Sequence, residues 1–249
     1  MSPRWIRGAF VVGGLGLAAC GDDGGKIVDA ASDAPADTAI DTPGGACGAD
    51  AAFTGEVIDW DASNATFCGV FGATLTVRGA TARTDTTNPN GRFELCLARQ
   101  PQTVIDVAFS ASPSECTTPR DTYPVPAVLI ADQSIVNSNM VLSARAMTAM
   151  RQTAMFAQVG APYDAAKGQL VVHTIGTPGA VSITASHGAT QAFDGATWTA
   201  GDSGSDVFFP NVAPGATQVS ASNMTFTVTV EAGKYTHLTV SSLLIAARQ

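Results

Sequence analysis

From Phe53 onward, short β-rich runs separated by turn residues recur every eight to twelve positions, and this spacing is the strongest constraint on the fold. Strands this short cannot bury an apolar face alone, so they must pair and stack as sheets. The sequence therefore predicts an all-β protein built from sandwiches. In the first half the predicted strands cover residues 54–59, 73–78, 81–86, 92–98, 103–110, 125–131 and 139–143.

Alternation within these runs predicts which side chains are buried. Phe93, Leu95 and Leu97 point to one face of a strand, and Glu94 and Cys96 point to the other. Residues 104–109 alternate in the same way, with the odd-numbered positions on the apolar face. Each strand should therefore have one face in a core and one in water.

The stretch Asn88-Pro-Asn-Gly91 supplies a turn whose glycine can adopt a positive φ. We expect this turn to join the strands on either side of it as a hairpin.

The second half of the chain repeats the first in outline. Residues 168–172 correspond to 55–59, and Gly179-Ala180 corresponds to Gly72-Ala73, each pair preceding a strand. This repetition predicts a first sandwich over residues 53–143 and a second of similar size over 167–249. The expected core of the second sandwich consists of Leu170, Val172, Ile183, Phe208, Val219, Phe226, Val228, Leu238 and Val240.

Residues 144–166 separate the two predicted sandwiches and contain an Ala- and Met-rich segment that favours a short linking helix. Ser143 is expected to be its N-cap and Gly160 its C′ residue. Met147, Met150 and Ala154 fall on one face at helical spacing, so that face should pack on a neighbouring sandwich.

Several segments together resemble the carboxypeptidase regulatory-like domain. These are the Gly-x-Val-x-Asp pattern at 55–59, Gly-Ala at 72–73 and Thr-Asp…Asn-Gly-Arg-Phe-Glu-Leu within 84–95. Residues 209–215 and 230–233 resemble the closing half of the same domain. The resemblance implies two tandem transthyretin-like, Ig-like Greek-key β-sandwiches over residues 53–249. It also implies a non-catalytic accessory role.

The N-terminus has the three zones of a secretion signal: the basic residues Arg4 and Arg7, an apolar stretch over residues 8–17, and small residues before a cysteine. The apolar stretch is shorter than the roughly 20 residues that a permanent membrane span requires. Leu17-Ala-Ala-Cys20 resembles the lipobox of bacterial lipoproteins. The resemblance implies removal of signal peptide 1–19, acylation of Cys20 with diacylglyceryl and palmitate groups, and anchoring in the cell envelope. In the sorting rule of enteric lipoproteins, a residue other than Asp after the acylated cysteine permits transport to the outer membrane. Gly21 therefore favours the outer membrane or cell surface.

Residues 20–52 follow as an acylated cysteine and an Asp-rich segment. Residues 21–52 contain seven aspartates and one lysine among Ala, Gly, Pro and Thr, a composition that predicts a disordered tether with a reach of about 30 Å. Loss of Arg4 and Arg7 leaves 11 basic residues against 21 acidic ones, a net charge of −10. Such a surface repels phosphate backbones, so a nucleic-acid partner is excluded.

Four further cysteines, Cys47, Cys68, Cys96 and Cys116, belong to the first half and predict two disulfides in an oxidising compartment. Their wide spacing disfavours zinc. Three pairings are open, and loop-closure entropy favours the sequential one, 47–68 with 96–116. Reduction should then destabilise residues 53–143 more than 167–249, so that the two halves melt differently.

Two tryptophans, Trp60 and Trp198, lie beside predicted turns and are candidate ligand contacts, although a core position is expected for at least one of them. Trp60 also falls within a cluster of oxygen-bearing side chains. This cluster favours an Asx-rich turn over a small calcium site, and it consists of Asp59, Asp61, Ser63 and Asn64.

Gly201-Asp-Ser203-Gly matches the nucleophile signature of trypsin-like proteases, and a proton relay would require His187, Asp194 and Ser203 to converge. Only fifteen residues separate His187 from Ser203, too few for the two barrels of such enzymes, so a polar turn is expected. A metal site formed by His173, His187 and His237 is disfavoured by their wide spacing. We therefore expect no catalytic residues, no metal and no cofactor.

These observations predict a non-enzymatic, membrane-anchored cell-envelope lipoprotein that acts as a structural, scaffold or adhesion module. Its expected partners are the lipid membrane, through Cys20, and an extracellular polysaccharide or envelope protein. The alternative is a carbohydrate- or peptide-binding surface module with Trp60 or Trp198 at its site.

Overall fold

Fifteen strands and one helix make up the part of the chain that the structure, a computed structural model, describes: residues 47–241 except 64, 81, 99, 133–140 and 222. The helix is α1 (Ala149–Gln158). The strands are β1 (Ala51–Asp59), β2 (Thr74–Val77), β3 (Thr84–Thr86), β4 (Arg92–Leu97), β5 (Gln102–Ala108), β6 (Ala127–Asp132), β7 (Leu142–Ala146), β8 (Gly168–Ile175), β9 (Val181–Ile183), β10 (Gln191–Phe193), β11 (Trp198–Ala200), β12 (Asp206–Val212), β13 (Gly215–Ala221), β14 (Met224–Val230) and β15 (Tyr235–Ser241). The predicted signal peptide, Cys20 and most of the predicted tether lie outside the described residues.

The strands form three sheets. A central sheet of nine strands has the order β11-β10-β12-β8-β15-β6-β5-β2-β3. Two three-stranded sheets, β4-β1-β7 and β14-β13-β9, pack on it. The prediction of an all-β sandwich protein is confirmed.

The strand pairing of the first half recurs in the second. β1 is antiparallel to β4 and parallel to β7, and β8 is antiparallel to β12 and parallel to β15. In the partner layers, β2-β5-β6 has the same antiparallel order as β9-β13-β14. The topology therefore agrees with the repeat predicted from residues 55–59 and 168–172.

The two aligned glycines, Gly55 and Gly168, each stand where backbone and side chains approach closely. A Cβ added to Gly55 would lie 2.2 Å from the Phe93 ring, and one added to Gly168 would lie 2.2 Å from Val230. These glycines are required by packing and mark equivalent positions at the start of each half.

β15 joins the two halves. It lies between β6 and β8 and runs parallel to both, with Tyr235 opposite Ala127 on one side and Gln169 on the other. All seven residues of β15 are buried, as expected for a strand covered on both faces. The two sandwiches predicted to be joined by a helix are thus fused edge to edge, and the described residues belong to one compact unit.

The two faces of the central sheet bury two separate cores. Leu129 and Val171 face the sheet β4-β1-β7 and the helix, whereas their neighbours Ile130 and Leu170 face the sheet β14-β13-β9. The predicted core residues of the second half are buried except Ile183 and Phe226, which pack partly exposed against the second cluster. The predicted burial of Phe93, Leu95 and Leu97 is also confirmed.

The helix begins later than the sequence predicts. Ser143 lies within β7, and Thr148 is the N-cap, with its side chain accepting a hydrogen bond from the Arg151 backbone N–H. The predicted C′ residue is confirmed, because Gly160 has a φ of 70° and follows the C-cap. The later start changes the buried face: Met150 is exposed, and Met155 and Phe156 pack into the core instead.

The turn at residues 88–91 forms, but it does not close a hairpin. β3 belongs to the central sheet and β4 to the sheet β4-β1-β7, so the turn crosses between layers. The Asn88 side chain accepts hydrogen bonds from the backbone N–H groups of Asn90 and Arg92, and Gly91 has a φ of 71°. The local turn chemistry was predicted correctly and the strand pairing was not.

The disulfides join Cys47 to Cys96 and Cys68 to Cys116, with Cα–Cα distances of 5.2 and 5.7 Å. The sequential pairing favoured by loop entropy is wrong. The register of β1 on β4 sets Ala52 opposite Cys96, which brings the residues before β1 to the end of β4. Strand pairing thus overrides the lower closure cost of shorter loops.

The fused sheet predicts one cooperative unfolding transition in place of two. The Cys47→Ala/Cys96→Ala variant should lower the free energy of unfolding by about 2–5 kcal/mol, because it releases a chain loop between residues 49 apart. Calorimetry should show that the whole transition shifts, including the second half. If calorimetry of the variant instead shows one displaced and one unmoved transition, the two halves unfold as independent domains.

Candidate functional site

Arg145 on β7 reaches from the first half to the second. Its side chain is 6% exposed and donates hydrogen bonds to the carbonyl oxygens of Trp60 and Ala62, each at 2.9 Å. The other end of the guanidinium donates to Asp206 on β12 at 2.9 Å. Its central carbon also lies 4.5 Å from the centre of the Phe193 ring. We call this contact region between the halves the seam.

Asp206 is buried, and three side chains form hydrogen-bond contacts with its carboxylate oxygens. Arg145 and Ser205 donate to Oδ2, and Nδ1 of His173 lies 2.9 Å from Oδ1. Burial opposes ionisation of this carboxyl, but the interactions with His173 and Arg145 outweigh burial and hold its pKa well below the ordinary value. Asp206 is therefore an ionised, hydrogen-bonded carboxylate inside the seam.

His237 on β15 is buried near this cluster. Desolvation disfavours its charged form and lowers its pKa to about 3, although the charge of Asp206 acts in the opposite direction. His237 is thus neutral over the physiological range.

Two tryptophans form the apolar part of the seam. Trp60 and Trp198 stack with ring centroids 4.7 Å apart and an interplanar angle of 17°, and Phe208 packs edge-on against both. Trp60 is 0% exposed and Trp198 is 6% exposed. The expectation that at least one of the two lies in the core is confirmed for both, since each ring is covered by side chains of the opposite half.

A cleft of about 290 Å³ opens beside the ion pair. We call it the seam cleft. Its polar lining comes from Glu56, Ser63, Ser143, Arg145, His173 and Ser205, and its apolar lining includes Ile58, Phe67 and Phe193. Phe67 is 51% exposed and lies in the loop held by the Cys68–Cys116 bridge. The seam cleft therefore combines polar groups with an accessible aromatic ring.

The predicted oxygen cluster at residues 59–63 is an Asx-type turn. Asp59 accepts hydrogen bonds from the Asp61 backbone N–H and the Tyr123 hydroxyl, and burial raises the Asp59 pKa. Asp61 pairs with Arg151 at 2.7 Å. These carboxylates are engaged within the protein, and Asn64 lies outside the described residues.

The residues of the rejected protease signature do not assemble. His187 Nδ1 contacts the Gly188 carbonyl oxygen at 2.7 Å, and Asp194 accepts from the backbone N–H groups of Ala196 and Thr197. Ser203 is exposed and its backbone forms an isolated bridge with Ala180. The polar-turn interpretation of this segment agrees with the structure.

Within the described ranges, no group of three or more His, Cys, Asp or Glu residues has metal-binding geometry. Of the three histidines, His173 and His237 lie near Asp206, whereas His187 packs edge-on against Phe209. Across the same part of the chain, no helix has the length and apolarity that a membrane span requires.

Sequence reasoning missed Arg145 and Asp206, the two residues that organise the seam. Arg145 lies two residues beyond the predicted strand at 139–143, and Asp206 immediately precedes the apolar run that begins at Val207. A charged side chain adjoining a run expected to be buried is the signal that could have marked them.

Neither the family models nor the curated proteins contain a match to this chain. Among solved structures, it is similar to the minor pilin GBS52 of Streptococcus agalactiae, with 11% identity, coverage of 77% of this chain and 95% of that one, and a TM-score of 0.23. The shaft pilin SpaA of Lactobacillus rhamnosus GG gives 10% identity, coverage of 76% and 96%, and a TM-score of 0.27. The TIE protein of Bacillus anthracis gives 9% identity, coverage of 77% and 34%, and a TM-score of 0.25, so this chain spans about a third of its length. Scores at this level assign neither a family nor a function, and the carboxypeptidase regulatory-like assignment stays a prediction.

Burial of both tryptophans predicts weak collisional quenching. In a chain cleaved before Cys20, Trp60 and Trp198 are the remaining tryptophans, and acrylamide should quench them several-fold less than in the same chain unfolded in guanidinium chloride. Trp60→Phe should leave the low quenching of Trp198 unchanged. Equal quenching constants in the folded and unfolded chains would contradict the stacked seam.

The lowered pKa of His237 predicts acid destabilisation. The unfolded chain binds a proton at this histidine below pH about 6.5 and the folded chain does not until pH about 3, so the free energy of unfolding should fall by up to about 1.4 kcal/mol per pH unit in that window. Urea titrations at pH 7, 6 and 5 should show this slope in the wild type and a flatter one in His237→Gln. The exposed His187→Gln is the control and should retain the wild-type slope. Equal slopes in all three proteins would show that the acid sensitivity arises from a group other than His237.

Proposed function

We propose that this chain is a non-enzymatic, membrane-anchored cell-envelope lipoprotein whose fused sheets act as a structural or adhesion module on the outer membrane or cell surface. The observation that carries the proposal is the central nine-stranded sheet, in which β15 bonds to strands of both halves. A shared sheet resists separation of the halves, which suits a module that holds a fixed geometry outside the cell.

The disulfides support export. Two bridges, which join cysteines 49 and 48 residues apart, are characteristic of oxidising compartments and are rare in the cytosol. They agree with the secretion signal proposed for residues 1–19.

The proposed anchor is Cys20, on the resemblance of Leu17-Ala-Ala-Cys20 to a lipobox. Lipid chains on this cysteine would supply membrane affinity at about 0.8 kcal/mol per buried methylene. The Asp-rich residues that follow would act as a spacer between the membrane and the folded part.

Anchoring through Cys20 is tested by phase partitioning. The wild-type protein expressed in a lipoprotein-processing bacterium should enter the Triton X-114 detergent phase, and its intact mass should include the acyl groups. Cys20→Ala should lose both properties, because the thiol that accepts the lipid is absent.

The Cys47→Ala/Cys96→Ala variant is the matched control, since it also removes cysteines but leaves the proposed lipobox intact. It should remain in the detergent phase with the acyl mass. A Cys20→Ala protein that still partitions with detergent at unchanged mass would rule out the lipid anchor.

A further inference from the structure

The seam cleft offers donors and acceptors but no unneutralised positive charge from Arg145. The guanidinium of Arg145 is paired with Asp206 and donates to two carbonyl oxygens. Glu56 adds a carboxylate to the lining, and Ser63 and Ser143 add hydroxyls that can donate or accept. This lining disfavours anions and suits a neutral ligand that carries several hydroxyl groups.

His173 contributes a ring nitrogen that can form a hydrogen bond with a ligand hydroxyl. Asp206 is ionised and can only accept, so Nδ1 of His173, which lies 2.9 Å from Oδ1, carries a proton. Nε2 is the ring nitrogen left for a hydrogen bond outside this pair. His173 is 24% exposed and lines the seam cleft, so a ligand hydroxyl can reach it.

Phe67 supplies an apolar surface at the rim of the cleft. Its ring is half exposed beside polar groups, and the adjacent Cys68 is fixed by the bridge to Cys116. An ordered, exposed ring gains free energy when an apolar ligand face covers it, and little conformational entropy is lost because the loop is already held. The C–H face of a sugar ring is such a surface, while its hydroxyls suit the cleft interior.

The volume limits the ligand to a small group. A cleft of about 290 Å³ lies just below the range for drug-sized ligand sites, which begins at about 300 Å³. It accommodates a single ring with its substituents better than an extended peptide.

We infer that the seam cleft binds one pyranose ring of a neutral glycan, with Phe67 against the C–H face of the ring and His173 hydrogen-bonded to one of its hydroxyls. This inference rests on the proposed adhesion role, because it names the ligand that a surface module of this kind would hold. In this inference, Phe67 forms the aromatic contact that the sequence predicted for Trp60 or Trp198.

The test uses saturation-transfer NMR on the full acylated protein in a zwitterionic detergent, chosen because its head group contains no sugar. The probes are methyl glycosides of neutral hexoses and of N-acetylhexosamines, each at millimolar concentration. Saturation should reach the ring protons of at least one probe. Phe67→Ala should lower the affinity for that probe about tenfold, because an apolar contact is lost. His173→Asn should lower it about fivefold, because a hydrogen bond is lost.

Two features of the variants separate binding from folding. Phe71→Ala removes an equally exposed phenyl group from the same loop, 64% exposed and outside the cleft lining, and should bind like the wild type. Asn at position 173 can still donate to Asp206, so the ion-pair cluster is kept, and the melting temperature of each variant checks this.

Three outcomes overturn the inference. These are no saturation transfer to any probe, equal effects of Phe67→Ala and Phe71→Ala, and displacement of the sugar by acetylated tripeptides that bind more tightly, which would assign the cleft to peptides. If the protein partitions with detergent but binds no sugar, the proposed glycan site is contradicted and the proposed lipid anchor is supported. If the protein binds sugar but does not partition with detergent, the glycan site is supported and the lipid anchor is contradicted.

Discussion

Hydrogen bonding along both edges of β15 is the interaction on which the rest of the structure depends. The strand completes the β12-β8-β15 group of the second half and also adds to the edge of β6 in the first. Without it, β6 and β8 would each expose an unpaired edge and both cores would lose a wall. A repeated topology that could have given two separate sandwiches becomes one body because the last strand of the second repeat pairs with β6 of the first.

The contacts at the seam specify how the halves meet. The Trp60–Trp198 stack provides apolar burial, while the Arg145–Asp206 pair fixes the direction of approach through directional hydrogen bonds. At the surface, Arg78 and Lys234 connect Asp106 of the first half with Glu231 of the second. Exposed pairs contribute little to stability, so the buried polar cluster and the stacked rings carry the specificity.

Strand positions and buried faces were predictable because they are local properties. The alternation of Phe93, Leu95 and Leu97 gives both a strand and its inward face, and the repeated glycines at 55 and 168 mark equivalent strands. The pairing of Tyr235 with Ala127 was not predictable, since residues over a hundred positions apart leave no mark on either segment.

The candidate site was less predictable than the fold, for the same reason. Trp60 lies beside a predicted turn, and its own segment does not show whether it is exposed or buried, because its environment is set by Trp198 in the other half. The strands β10 and β11 are three residues each and give too short a pattern to recognise. Arg145, Asp206 and His173 come from three different strands, so their proximity follows from the topology and not from any motif.

The bridge between Cys47 and Cys96 determines how the folded part would respond to mechanical load. A pull arriving from the N-terminal side enters at Cys47, and the covalent bond passes it to the end of β4 as well as to β1. Paired antiparallel strands pulled apart from one end normally lose their hydrogen bonds one at a time. Here the bridge closes that end, because Cys47 precedes β1 and Cys96 lies opposite Ala52, the second residue of β1. Tension therefore acts on the two strands together, and β1 cannot be peeled from β4 at the end where the load is applied.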